Sequence, residues 1–197
     1  MRQAEIVDAA MAILDDQGLD AVSLRTVASL VGVRLNTVSW HVKTKARLLE
    51  LMADSVMKEC SVQDLPADPQ QCVRTLLRRY RAALLAHRDG ARLVAGTFVA
   101  EKNTLDAADA IVRALLDCGH GRRSAAWTCW TLVYFALGIT QEEQAVDEPL
   151  DSILRRGLDT DEHAALNSVA DHLSSVDFDA RFDFGLNLIL QANPMGS

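Results

Sequence analysis

An all-α fold is predicted for this chain by three observations. Apolar residues recur at three- and four-residue spacing through most of its length, the period of a helix with one buried face. No alternating segment of strand length bounded by turn residues stands out. Capping and breaking residues also fall where those periodic stretches should end. Nearly half of the residues, 49%, are apolar and they are spread along the chain, so a sizeable core can form and a disordered chain is excluded.

In order, Ile6, Ala9, Ala10, Ile13 and Leu14 mark a helix over Gln3–Gln17, closed by Gly18. Ser23 is placed to cap a short helix ending at Leu30, with Val27 and Leu30 expected to face inward. Val31-Gly32-Val33 reads as a tight turn before a second short helix, Leu35 to about His41. The next helix is expected from near Thr44 to about Cys60, and Ser61 to Pro69 reads as a linker. Pro69 suits the first turn of a long helix reaching Arg88, which Asp89-Gly90 should stop. Further helices are expected over Ala91–Val94, Thr104–Cys118, Arg122–Ala145, Asp147–Arg156, Asp161–Leu173 and Phe178–Gln191. The last would turn Phe178, Phe182, Leu186 and Ile189 to one face.

Two short helices joined by a glycine-containing turn match a helix-turn-helix unit, whose second helix lies in the DNA major groove. The predicted organisation is therefore a three-helix head over residues 1–48, a connecting helix over 44–60, and a larger helical body over 61–197. Net charge is −7, which by itself disfavours nucleic acid. Its distribution does not. From Ala21 to Leu49 there is no Asp or Glu, while Arg25, Arg34, Lys43, Lys45 and Arg47 fall inside. In the first turn of the second helix, Asn36 suits adenine, and Leu35 or the Thr37 methyl suits a thymine methyl. Arg25 can reach guanine or phosphate; Ser39, Trp40, His41, Lys43 and Lys45 suit the sugar–phosphate backbone. For Trp40 a place in the core is an equal reading.

The run from Ser23 to Leu49, and above all Trp40-His41-Val42-Lys43-Thr44-Lys45 followed by two leucines, resembles the DNA-binding head of the TetR family of regulators. That resemblance implies operator contacts from Arg25, Leu35, Asn36, Thr37, Trp40, His41 and Lys45. Leu35 and Asn36 replace a glutamine and a proline of the family pattern, and Ser39 replaces a phosphate-contacting tyrosine, so a different operator is implied. The body resembles the family's tetracycline-binding members around His87–Thr97 and again at Phe135–Gly138 and Gln141–Gln144. Their drug-binding residues are replaced: Val94 and Cys118 stand for a histidine and an asparagine, and Tyr134 for the histidine that ligates magnesium. No metal site or cofactor is therefore expected.

Trp127, Trp130 and Tyr134 share one helical face. With Val94, Thr97, Phe98, Leu115 and Cys118 placed nearby by the resemblance, they would line an apolar, aromatic pocket. Ordinary core or a dimer interface is the other reading of that stripe. The resemblance further implies a homodimer formed through about 122–145 and 178–191, and repression of efflux or resistance genes relieved by a small hydrophobic or aromatic molecule. The same head can also serve an activator or a dual regulator.

No nucleophile elbow, phosphate-binding glycine loop or metal-spaced His/Cys set is present, so an enzyme or carrier is not favoured. His87 reads as a helix-end group, and His120, His163 and His172 as solvent-facing. Cys60, Cys72, Cys118 and Cys129 lack C-x-x-C spacing and read as reduced core thiols. With no signal-peptide or membrane-spanning segment in the sequence, a cytoplasmic protein is expected.

Overall fold

The computed structural model describes residues 2–97, 100–145, 150–159 and 162–191, and these contain helices and connecting turns with no strand. The head comprises α1 (Gln3–Gln17), α2 (Leu24–Leu30) and α3 (Leu35–Val42). Connecting helix α4 (Lys45–Met57) leads into α5 (Pro69–Leu85), α6 (Gly90–Ala95), α7 (Lys102–Asp117) and α8 (Arg122–Gln144). Beyond them lie α9 (Leu150–Gly157), α10 (Ala164–Asn167), α11 (Ala170–Leu173) and α12 (Phe178–Gln191). No helix among the described residues is long and apolar enough to cross a membrane.

Local chemistry fixes most boundaries. The Ser23 hydroxyl accepts from Thr26 N–H at 3.1 Å, Thr44 from Arg47 N–H at 3.0 Å, and the Asp68 carboxylate from Gln71 N–H at 2.8 Å beside Pro69. Gly32 takes φ 68 in the turn between α2 and α3, a region costly for other residues, while Val33 N–H donates to Ala28 O at 3.0 Å.

Several expectations are corrected. Leu30 is 57% exposed, because the stripe that α2 buries is Leu24, Val27, Ala28 and Val31, and Leu30 lies off it. The long helix α5 ends at Leu85, three residues before Arg88. Asp89, at φ 56, turns the chain so that Gly90 begins α6 rather than merely stopping α5. The single helix expected over Asp161–Leu173 is two four-residue helices, α10 and α11. Neither buries a residue, so no packing carries a longer helix across Ser168 and Val169. Of the helix expected over Asp147–Arg156, residues 147–149 lie outside the described residues. Cys60 and Cys129 are buried thiols, but Cys72 is half-buried and Cys118 exposed at the end of α7; all are free. His120 and His163 are half-buried, bonded to Ser124 Oγ and Asp159 N–H at 3.1 Å each, whereas His172 is exposed.

The core runs continuously from head to body. Ile6, Leu14, Val38 and Leu48 fill the head; Leu76, Leu77, Leu84, Leu115 and Leu132 fill the body. Helix α12 packs on α8 through Phe182 and Phe135, whose rings stack at 5.6 Å, and Arg81 of α5 pairs with Glu143 of α8 and Asp179 of α12.

Candidate DNA-binding head and ligand cavity

Val38 and Val42 are fully buried and pin α3 against the head, which leaves its first turn outward. Burying two such side chains contributes about 1.5–3 kcal/mol each. Leu35, Asn36 and Thr37 are exposed together, and Arg25 is exposed at the start of α2. Trp40 is 77% exposed, which removes its core reading; its ring meets His41 edge-on at 4.8 Å. Ser39 and His41 are half-buried, and the His41 carbonyl accepts from the Gln3 side chain at 3.3 Å. Lys43 and Lys45 are exposed around the α3–α4 junction. Arg25, Arg34, Lys43 and Lys45 make no ion pair among the described residues, so their cationic heads are open to a phosphate. Arg47 differs: its guanidinium pairs with Glu50 at 2.9 Å and Glu101 at 2.6 Å, tying α4 to the start of α7.

The body holds a cavity of about 500 Å³ enclosed by α4, α5, α6, α7 and α8. Small side chains create the space: Ala53 on α4, Ala107 and Ala108 on α7, and Ala126 on α8. Met57, Tyr80, Ile111, Val133 and Leu137 add apolar wall. Of the expected pocket residues, Val94, Thr97, Trp130 and Tyr134 line it, with Trp130 and Tyr134 stacked at 5.4 Å toward the exposed side. Three others do not line it. Leu115 is sealed in the core, Cys118 is exposed at the α7 end, and Trp127 points to the surface with the Arg123 guanidinium 4.1 Å over its ring. Phe98 lies outside the described residues. No Asp, Glu, Lys, Arg or His is among the described lining residues.

Tyr80, Met57 and Cys129 were not anticipated as cavity residues. Tyr80 falls in register with Leu76 and Leu77 on the buried stripe of α5, where an aromatic reads as core. The alanines shared among α4, α7 and α8 were the available signal, since small residues facing one space leave volume behind.

The cavity is wired to the head. The Asp54 carboxylate on α4 accepts from Thr104 N–H at 2.8 Å, the Thr104 hydroxyl at 3.0 Å and the Asn103 amide at 2.8 Å, so it caps cavity helix α7. At the α5–α6 corner, Asp89 accepts from Leu19 N–H at 2.8 Å, and Arg92 grips Asp20 through both guanidinium nitrogens at 2.9 and 3.2 Å. That pairing holds the Asp20 carboxyl below the usual carboxylate range, chiefly through the Arg92 hydrogen bond. His87 is not a simple helix-end group. Its two ring nitrogens lie 3.0 Å from Asp15 of α1 and 3.0 Å from Glu59 just after α4. Gln144, at the end of α8, bonds Leu84 O, His87 O and Ala91 N–H, locking this corner to the cavity's longest helix.

Residues 6–52 match the tetR family of bacterial regulatory proteins, and residues 64–192 match the tetracyclin repressor-like C-terminal domain. The chain belongs to the TetR family. It is 30% identical to the class A tetracycline repressor of transposon 1721 from Escherichia coli, over 94% of this chain and 87% of that protein. A solved structure of a possible TetR family transcriptional regulator from Streptomyces coelicolor A3(2) superposes with a TM-score of 0.86 at 34% identity, covering 96% of this chain and 97% of that one. The Streptomyces coelicolor TetR family protein ActR, in complex with actinorhodin, superposes with a TM-score of 0.86 at 27% identity over 97% and 94% of the two chains. The chain is thus a ligand-responsive, DNA-binding transcriptional regulator.

Proposed function

We propose that this regulator binds a near-palindromic operator as a homodimer and is released from it by a neutral, largely aromatic small molecule held in the cavity. The observation that carries the reading is the position of α4. Ala53 and Met57 form part of the cavity wall, while the other end of the same helix begins at Lys45, beside α3. A ligand that fits better when α4 has moved shifts the spacing of the two heads by its difference in affinity for the two states.

Dimerisation through about 122–145 and 178–191 is supported by apolar surface left open on both helices. Trp127 on α8 is 60% exposed, and Phe184 and Leu188 on α12 are 66% and 54% exposed. A monomer rarely leaves such a patch uncovered, and a two-fold pairing of α8 and α12 covers it with the same patch of a second copy. Magnesium–tetracycline does not suit this cavity, because Val94 and Tyr134 offer neither imidazole nor carboxylate to the ion. By analogy with the class A tetracycline repressor, we assign repression of an efflux or resistance gene, the operator contacts coming from Arg25, Leu35, Asn36, Thr37, Ser39, Trp40, His41, Lys43 and Lys45.

Purified protein titrated against DNA from its own upstream region at fixed salt tests this reading. Tight binding to a near-palindromic segment, well above binding to random duplex, is expected. Equal affinity for both would overturn it.

A further inference from the structure

The cavity wall carries little polarity, and most of it is already used. The Thr97 hydroxyl donates to Val94 O at 3.1 Å, and the Thr104 hydroxyl donates to Asp54 at 3.0 Å. Both keep only lone pairs for a ligand. The Tyr134 hydroxyl belongs to a residue 63% exposed, where water competes. Tyr80 differs from all of these. It is 5% exposed and lines the cavity, yet its hydroxyl has no hydrogen-bond partner among the described residues. It is also not sealed into the protein; among the described residues, the sealed side-chain polar atom without a partner is Arg81 Nε. The cavity that Tyr80 lines is the space from which a ligand reaches that hydroxyl. A buried tyrosine usually pairs its O–H, and leaving it unpaired in an apolar setting is costly.

We propose that the cavity selects an uncharged, flat polycyclic ligand bearing a hydrogen-bond acceptor, a carbonyl or ether oxygen, which takes the proton of the Tyr80 hydroxyl. Burial pushes the Tyr80 phenol well above its usual range, so the hydroxyl remains a donor at neutral pH. The absence of formal charge among the described lining residues supplies the second half of the selection. An anionic or cationic ligand would leave water with no opposite charge to meet it. The flat shape follows from the Trp130–Tyr134 stack at the mouth. This inference rests on the cavity being the effector site.

Three probes of one shape test it: fluorene, 9-fluorenone and 9-fluorenone-2-carboxylate, followed by quenching of intrinsic tryptophan fluorescence in the full-length protein. Fluorenone should bind about tenfold more tightly than fluorene, as one satisfied hydrogen bond provides. The carboxylate should bind at least tenfold more weakly than fluorenone. In Tyr80→Phe the gap between fluorenone and fluorene should close, while fluorene binding and the melting temperature stay at or above parental values, because the lost hydroxyl has no partner within the protein. Equal binding of fluorenone and fluorene to the parent, a gap that persists in Tyr80→Phe, or strong binding of the carboxylate would overturn the inference while leaving a ligand cavity in place. Failure of all three probes to bind would remove the cavity as an aromatic ligand site and this inference with it.

Discussion

Replacing Asp54 with alanine should cost about 1.5–3 kcal/mol, a figure that follows from what its carboxylate holds. It accepts from the Thr104 backbone N–H, the Thr104 hydroxyl and the Asn103 amide, and so joins α4 to the first turn of α7. Loss of a side-chain cap on a helix N-terminus costs about 0.5–2 kcal/mol. The two side-chain bonds add about 0.5 kcal/mol each, the low end for hydrogen bonds, because these groups are half-buried and water replaces part of what is lost. Asp54→Asn keeps an acceptor oxygen but loses negative charge beside the α7 N-terminus, and should cost about 1 kcal/mol. Urea denaturation followed by circular dichroism measures both, at one protein concentration because the stability of the proposed dimer depends on it. Hydrogen exchange in the first turn of α7 should rise in the alanine variant. Both variants lying within about 0.5 kcal/mol of the parent, the usual range of surface substitutions, would refute the tether between the connecting helix and the cavity wall.

Gly90→Ala should destabilise the protein by more than about 2 kcal/mol in the same assay, because a Cβ there would sit 2.2 Å from Leu84 O, a backbone atom that can move only with α5. Phe184→Asp should convert the protein to monomers in sedimentation velocity, since it places a charge in the apolar patch of α12; a dimer that persists at micromolar concentration would relocate the interface. Thiol labelling should separate the cysteines, with exposed Cys118 modified first under native conditions and buried Cys60 and Cys129 only on unfolding. Burial pushes the Cys60 thiol up to about 11. Its contribution to stability is complete below the ordinary thiol pKa of about 8.5 and is lost as pH rises toward the folded value, so thermal stability should fall between those two pH values.

The head was legible because its signals are local. Ser23 and Thr44 cap as their sequence positions suggest, and Val38 and Val42 face inward by period, which forces Leu35, Asn36 and Thr37 outward. Trp40 was ambiguous, since its exposure depends on what the fold places beside it. The cavity was half legible. Trp130 and Tyr134 announced themselves as aromatics on one helical face, but Trp127 shares that face and turns elsewhere. Leu115 and Cys118 lie on the right helix at the wrong depth. Tyr80 and Met57 carry no sequence mark that separates a cavity wall from a core, because an empty space is a property of several helices together. The same holds for His87, whose partners Asp15 and Glu59 are remote in sequence and meet only in the folded chain.

The salt dependence of operator binding tests the central claim most directly, measured by fluorescence polarisation for the parent, Lys45→Ala and Asn36→Ala. If α3 reads bases while Lys45 meets phosphate, Lys45→Ala should weaken binding to specific and random duplex alike and lower the salt slope by about 0.9 per head, about 2 per dimer. Asn36→Ala should cost about 1–3 kcal/mol per half-site on the specific sequence alone and leave the slope unchanged. Parental affinity and slope in a variant carrying alanine at Asn36, Thr37 and Lys45 together would contradict the account.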